Sequence, residues 1–135
     1  MCRSVAAESF PPPATALVVD VANVMGSRPD GWWRDRAGAA SRVLASLAAA
    51  DLAYGEVVAV LEGRSRAASG PARGVVVVLA SGSGDDAIVD ETALRVSDGV
   101  RVEVVTADRA LQARVEAAGA TVRRPSWLLE RLERG

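Results

Sequence analysis

The segment Ala16-Leu-Val-Val-Asp-Val-Ala-Asn23 carries the clearest indication of fold in this chain. A continuous apolar run bounded by turn-forming residues is typical of a parallel strand that is buried on both faces. An aspartate at the last position of such a strand has few structural reasons to be there, apart from starting a turn. The stretch therefore predicts a central strand that carries a candidate functional residue, Asp20, at its carboxyl end.

Downstream of this strand, short β-branched runs alternate with Ala-, Leu- and Arg-rich stretches at helical spacing. We predict strands at 16–20, 56–61, 74–79, 102–106 and 121–123, and helices at 34–50, 85–96, 109–118 and 126–134. This alternation is the signature of a parallel α/β sheet. The expected fold is a three-layer α/β sandwich of the Rossmann-like kind, with a mostly parallel central sheet of about five strands.

The length of 135 residues fits one domain. We expect residues 1–13, which end in Phe10-Pro-Pro-Pro13, to be a flexible lead-in and residues 14–135 to form a single domain. No segment reaches the roughly 18 apolar residues of a membrane span, and none near the start fits a signal peptide. The sequence therefore predicts a cytoplasmic protein without a membrane partner.

Two residue types are absent from the composition, and their absence limits the reactions that this chain could catalyse. The chain has no histidine, and all 16 of its basic residues are arginines. Catalytic triads, Cys-His pairs, Schiff-base lysines and the P-loop lysine are thereby excluded, and the single cysteine, Cys2, excludes cysteine-based metal sites. Any reaction would rest on carboxylates, which act near neutral pH when burial raises a pKa or when they hold a divalent cation.

Acidic residues follow four of the predicted strands. Ligands of open α/β sheets bind outside the carboxyl ends of the strands, so these acids are the first site candidates. They come from different crossovers and are Asp20, Glu62, Asp85, Asp86 and Asp108. Carboxylates that converge at one edge repel one another, and a cation bound between them is the main way to offset this repulsion. Oxygen ligands favour Mg²⁺ or Mn²⁺.

Some of these acids also have a structural interpretation. Ser83 with Asp86 resembles a capping box, and Asp108 is placed to cap the helix that begins at Arg109. Asp86 and Asp90 are four residues apart on a predicted helix, so both carboxylates lie on one face and can share a ligand. Capping and metal binding are compatible, and both interpretations stay open.

Three segments together resemble the PIN-like nuclease superfamily, and within it the NYN domain and its YacP-like branch. They are 18–23 (VVDVAN), 84–91 (GDDAIVDE) and 104–111 (VVTADRAL), and the resemblance spans most of residues 14–132. The first motif of the family usually reads Asp-Gly-x-Asn and the last Thr-Ser-Asp. Here Val21 replaces the glycine, Ala107 replaces the serine, and the acid after the second strand, often aspartate, is Glu62.

The resemblance implies a PIN-like fold and a Mg²⁺- or Mn²⁺-dependent ribonuclease, and the expected class is an endoribonuclease. Clustered carboxylates that hold divalent ions activate water and neutralise phosphate charge, as phosphodiester hydrolysis requires. We expect Asp20, Asp86 and Asp108 to be metal ligands, with Asp90 as a further ligand or as a base acting through water. The residues expected to orient ligands or substrate are Asn23, Glu62, Asp85 and Thr106.

The net charge of −1 provides no global attraction for RNA, so any basic groove must be local. The candidate phosphate contacts lie in predicted loops and are Arg28, Arg64 and Arg66. Trp32 and Trp33 are candidates for stacking on single-stranded bases, although anchoring of the first long helix is the favoured interpretation. Trp127 is expected in the core.

Other functions compete with the ribonuclease. Gly82-x-Gly84-x-x-Ala87 fits a minimal dinucleotide-binding fingerprint, but Asp85 and Asp86 would repel the pyrophosphate. A catalytically weak RNA- or protein-binding module with a PIN-like fold stays open, and so does a metal-dependent nucleotide phosphohydrolase. The sequence does not decide whether the chain forms a homodimer, or whether the ribosome or another protein presents the RNA.

Overall fold

The computed structural model describes residues 14–28, 31–63 and 74–134. Its five strands are β1 (Thr15–Asp20), β2 (Glu56–Leu61), β3 (Val75–Leu79), β4 (Arg101–Val105) and β5 (Thr121–Arg123). Its α-helices are α1 (Val21–Gly26), α2 (Arg36–Ala49), α3 (Gly84–Ser97), α4 (Arg109–Ala117) and α5 (Pro125–Arg134). A short 3₁₀ turn, Trp32–Arg34, precedes α2. No helix in the described ranges is long and apolar enough to cross a membrane.

All the strand pairings are parallel, and the strand order is β3-β2-β1-β4-β5. The chain builds β2 and β3 on one side of β1 and then crosses to build β4 and β5 on the other. The order of strands therefore reverses between β1 and β4, where open α/β sheets place their ligand crevice. Asp20 ends β1, and Thr106 to Asp108 follow β4, so the predicted acids of both strands lie at this crevice.

Helices cover both faces of the sheet, which confirms the predicted sandwich. Side chains of β1 alternate between the two faces: Leu17 and Val19 pack with α1, α2 and α5, whereas Val18 packs with α3 and α4. Residues Ala16–Val19 are completely buried. Burial on both faces explains why β1 reads as an unbroken apolar run, and it fixes the position of Asp20 at the carboxyl edge of the sheet.

The crossover after β1 differs from the prediction. A short helix, α1, follows directly on Asp20, and the long helix predicted at 34–50 begins at Arg36. Both starts have a local cause, because an aspartate caps each helix: Asp20 accepts a hydrogen bond from the Asn23 amide at 3.3 Å, and Asp35 accepts one from the Gly38 amide at 2.9 Å. The capping aspartate at 35 places Trp32 and Trp33 outside the helix.

Candidate active site

Asp20 is the centre of the candidate site. Its carboxylate is buried, with 5% of the residue exposed. One oxygen, Oδ2, accepts a hydrogen bond from the Thr106 hydroxyl at 2.9 Å, and the other caps α1 through the Asn23 amide. These contacts hold the carboxylate in one orientation at the reversal point of the sheet.

Thr106 links the carboxyl ends of β1 and β4. Its side chain is completely buried, and its hydroxyl donates to Asp20 while accepting from the Asp108 amide at 3.1 Å. The Asp108 carboxylate caps α4 by accepting from the Leu111 amide at 3.1 Å, which confirms the predicted cap. Gln112, which the sequence did not single out, donates from its side-chain amide to the Thr106 carbonyl at 2.8 Å.

Two of the three departures from the family motifs, Val21 and Ala107, lie beside this network and leave its hydrogen bonds in place. The Asn23 side-chain oxygen accepts a hydrogen bond from the Ala107 amide at 2.9 Å. This contact uses the backbone of residue 107, so it does not depend on a serine side chain there. Val21 is completely buried in the core cluster beside α1. Asn23 therefore orients the loop after β4, whereas its expected role in orienting a ligand or a phosphate oxygen stays a prediction.

Glu62 is held against the start of α3. Its Oε2 accepts a hydrogen bond from the Gly84 amide at 2.8 Å. A Cβ atom built on Gly84 would come within 2.7 Å of the Glu62 carboxyl group, so a side chain at residue 84 would displace that carboxyl group from its present position. The contact joins the carboxyl end of β2 to the loop after β3.

The paired aspartates at the start of α3 have different surroundings. Ser83 caps the helix by accepting from the Asp86 amide at 3.4 Å. The Asp86 carboxylate is mostly exposed and pairs with Arg114 of α4 at 2.9 Å. Asp85 is half-buried and lies one turn before Ile88 and two turns before Thr92, which are two of the three buried residues of α3. Asp85 is therefore on the side of α3 that faces the sheet.

The electrostatics associate Asp85, not Asp86, most closely with Asp20. Burial raises the pKa of Asp20 from 3.8 to about 6, and the charges of Asp85 and Glu62 add to this rise against the Thr106 hydrogen bond. Burial also raises the pKa of Asp85, followed by the charges of Asp108 and Glu62. Four carboxylates, called the acid cluster below, thus share one electrostatic environment: Asp20, Glu62, Asp85 and Asp108.

The sequence ranked Asp86 above Asp85 as a metal ligand, and that ranking stays a prediction. Asp86 and Asp90 lie on an exposed side of α3, as their spacing predicts. The signal that distinguishes Asp85 is its helical period with Ile88 and Thr92, since positions i, i+3 and i+7 share one side of a helix. Sequence spacing among acids alone does not contain this information.

The carboxylates do not form a ready-made metal cage. Within the described residues, no three Asp, Glu or Cys side chains are grouped closely enough to hold a metal ion by themselves. The chemistry of the donor set nevertheless fits Mg²⁺, which keeps several of its waters and uses one or two carboxylates together with substrate phosphates. Asp20 with one neighbour of the acid cluster meets that requirement.

The predicted substrate contacts are only partly described. Arg28 is half-buried just after α1. Arg64 and Arg66 lie outside the described residues. Trp32 packs against the core, as the anchoring interpretation predicts, whereas 58% of Trp33 is exposed and the Arg34 guanidinium lies 5.8 Å from its ring centre. Trp33 is thus accessible to a ligand.

The raised pKa of Asp20 predicts how stability depends on pH. Between pH 4 and 6 the folded state holds a proton on Asp20 that the unfolded chain releases, so the free energy of unfolding falls as pH rises through this range. The pKa change, from 3.8 to about 6, corresponds to a loss of about 3 kcal/mol at neutral pH. We expect Asp20→Asn to remove this loss.

The measurement is urea unfolding in EDTA at pH 4.5 and pH 7.5 for both proteins. Wild-type protein should lose more stability than Asp20→Asn between the two pH values, and Asp20→Asn should be the more stable at pH 7.5. Parallel pH profiles for the two proteins would show that Asp20 ionises in the folded state as it does in the unfolded chain.

No protein-family model matches the sequence, and no curated protein matches it. Solved structures that match the fold include Rae1 (YacP) from Bacillus subtilis, with a TM-score of 0.70, and its W164L mutant, with a TM-score of 0.71. Each is 18% identical to this chain in sequence.

The match covers most of both proteins. It includes 89% of this chain and 76% of the W164L mutant, and 88% of this chain and 74% of the other Rae1 structure. The predicted resemblance to the YacP-like branch of the PIN-like nucleases is thereby confirmed as a likeness of fold. The chain has the fold of Rae1 (YacP): a parallel five-stranded sheet between two layers of helices.

Proposed function

We propose that this protein is a Mg²⁺- or Mn²⁺-dependent ribonuclease that hydrolyses RNA phosphodiester bonds at the carboxyl edge of its sheet. The observation that carries this proposal is the buried Asp20 carboxylate, which lies at the reversal point of the strand order beside other acids. The likeness of fold to Rae1 (YacP) supports the nuclease class. The composition supports carboxylate chemistry, because histidine and lysine are absent.

The acid cluster is the proposed metal site. Asp20 would hold the ion together with Asp85 or Asp108, and Glu62 would orient the start of α3. At pH 7 Asp20 is ionised despite its burial, and its neighbours Asp85 and Glu62 are acids. A divalent cation offsets this repulsion, which favours its binding. When bound, such an ion lowers the pKa of an attacking water and stabilises the charge that develops on the phosphate.

The rest of the network positions these groups. Thr106 and Asn23 fix the loop after β4 relative to Asp20, so the Asp108 carboxylate stays close to the end of β1. Asp86 would stay paired with Arg114 at the rim of the site, and Asp90 would lie in solvent. RNA bases would stack on Trp33, whose exposed ring provides a surface for any base.

Binding of Mn²⁺ is the first test of this proposal. In a calorimetric titration at pH 7.5, we expect wild-type protein to bind Mn²⁺ and Asp20→Asn to bind at least about 10-fold more weakly. Lowering the pH below 6 should weaken binding to wild-type protein, because a proton then occupies Asp20.

Asp51→Asn is the matched control, since Asp51 is an exposed aspartate between α2 and β2, outside the acid cluster. Its affinity for Mn²⁺ should equal that of wild-type protein. If the protein is a binding module that keeps the fold without a metal site, the three proteins should not differ in their affinity for Mn²⁺. This result would refute the proposed metal site.

A further inference from the structure

A polar groove distinct from the acid cluster runs along β4, from Arg101 at the amino edge of the sheet to Arg123, which is paired with Val105 at the carboxyl end. Its volume is about 430 Å³, and it opens between α5, the segment before β2 and the first residues of β1 and β4. Thr15 and Arg101, which are paired at the start of β1 and β4, mark the amino edge. The charged residues of its lining are Arg101, Glu103, Arg123 and Arg131.

The groove is basic in a protein that is slightly acidic overall. Three arginines and one glutamate line it, whereas the whole chain has a net charge of −1. The glutamate is already occupied: the Glu103 carboxylate accepts hydrogen bonds from the Tyr54 hydroxyl at 2.7 Å and from the Arg123 Nε at 2.8 Å. Arg101 and Arg131 form no ion pair within the described part of the chain.

Aromatic rings order two of the guanidinium groups. The Arg131 guanidinium lies 4.3 Å from the centre of the Trp127 ring, and that of Arg123 lies 4.8 Å from it. Trp127 itself packs edge to face with Tyr54, with ring centres 6.4 Å apart. A guanidinium that lies over an aromatic ring keeps its N–H groups for a ligand, and less side-chain entropy is lost when it binds an anion. Trp127 is therefore part of the groove and only partly a core residue.

We propose that this groove is a second RNA-binding site, which holds the phosphate backbone of the strand whose scissile bond lies at the acid cluster. This inference rests on the proposed ribonuclease function for its choice of RNA over other anions. Arginines bind phosphate in a planar, two-pronged geometry, and ordered arginines with two uncompensated charges fit successive phosphates of one strand. A local basic groove is also what a chain of net charge −1 needs in order to bind RNA.

The distance between the two sites sets the length of RNA required. Thr15 and Asp20 are the two ends of β1, five residues apart, so about 17 Å of sheet separates the Arg101 end of the groove from the acid cluster. A stacked strand rises about 3.4 Å per nucleotide and needs about five nucleotides to span this distance. RNA of three nucleotides at the acid cluster cannot reach the Arg101 end of the groove.

The test is RNA binding by a double variant, Arg101→Gln/Arg131→Gln. Fluorescence anisotropy with a labelled single-stranded 20-mer in EDTA gives the affinity without any metal-dependent cleavage, so the result does not depend on catalysis. We expect the Kd to rise about 10-fold at 0.1 M salt, and the slope of log K against log salt to fall by about 1.4, or 0.7 for each lost phosphate contact. Arg101→Lys/Arg131→Lys should keep the slope.

Arg42→Gln, which removes an exposed arginine of α2 outside the groove, is the control and should leave the Kd unchanged. If the wild-type protein cleaves RNA, the double variant should cleave the 20-mer with a higher KM and an unchanged kcat. Its cleavage of a trinucleotide should equal that of the wild-type protein. An unchanged Kd for the 20-mer in the double variant would overturn the proposal.

Two further outcomes would also overturn it. In the first, polyglutamate displaces the labelled 20-mer from wild-type protein as effectively as unlabelled RNA does. This result would identify the groove as a site for an acidic protein partner. In the second, wild-type protein binds AMP, and the double variant loses AMP binding but keeps its affinity for RNA. This result would identify the groove as a nucleotide site.

Discussion

Asp20→Asn is expected to reduce Mn²⁺-dependent RNA cleavage by about 100-fold or more, because it removes the charged ligand at the centre of the acid cluster. Asparagine keeps the shape of the side chain. Its amide oxygen can still accept the Asn23 hydrogen bond that caps α1, and its NH₂ group can donate to the Thr106 hydroxyl, which in the wild-type protein donates to the carboxylate. Initial rates on a labelled single-stranded RNA at saturating Mn²⁺ give the comparison.

The same substitution should stabilise the folded protein at neutral pH, since it removes a buried charge. Loss of activity with gain of stability separates a functional acid from a structural one, because removal of a structural carboxylate lowers both. Thr106→Val is a useful companion: it removes the hydroxyl that orients Asp20 while keeping the buried volume, so activity should fall about 10-fold or more. Cleavage by Asp20→Asn at the wild-type rate would place the reaction elsewhere.

Asp85→Asn and Asp86→Asn should affect the rate of RNA cleavage very differently, although the two residues are adjacent. Asp85→Asn should lower cleavage by about 100-fold, because Asp85 faces the sheet and its charge acts on Asp20. Asp86→Asn removes an exposed ion pair with Arg114, which is worth at most about 1 kcal/mol, so its rate should change by less than about fivefold.

Arg114→Gln is the control for this pair. It breaks the ion pair from the other side, and it should reproduce the small effect of Asp86→Asn if that effect comes from the ion pair alone. A large loss of activity in Asp86→Asn with none in Asp85→Asn would restore the ranking that the sequence alone gives, with Asp86 as the ligand.

The fold was predictable because its signals are local and agree with one another. Each buried strand is a short β-branched run, and Asp108 and Ser83 mark helix starts that the structure contains. The short helix α1 was not predictable in the same way, since its six residues are too few for a periodic pattern. Tertiary packing and the Asp20 cap define it instead.

The candidate site was predictable only as a set of strand ends. Parallel strands bring their carboxyl ends to one edge, and that placed Asp20 and Asp108 together. The orientation of side chains within the edge depends on the pitch and packing of α3, so the spacing of the acids alone could not separate Asp85 from its neighbour Asp86. The basic groove combines residues from β4, β5 and α5, and no sequence motif links them.

The most direct test of the proposed function is cleavage of labelled single-stranded RNA by wild-type protein and Asp20→Asn, each with Mn²⁺ and with EDTA. We expect cleavage by wild-type protein in Mn²⁺, and none above background in the other three conditions. Cleavage that persists in EDTA or in Asp20→Asn at the wild-type rate would contradict the account, and so would the absence of cleavage of several RNAs by wild-type protein in Mn²⁺.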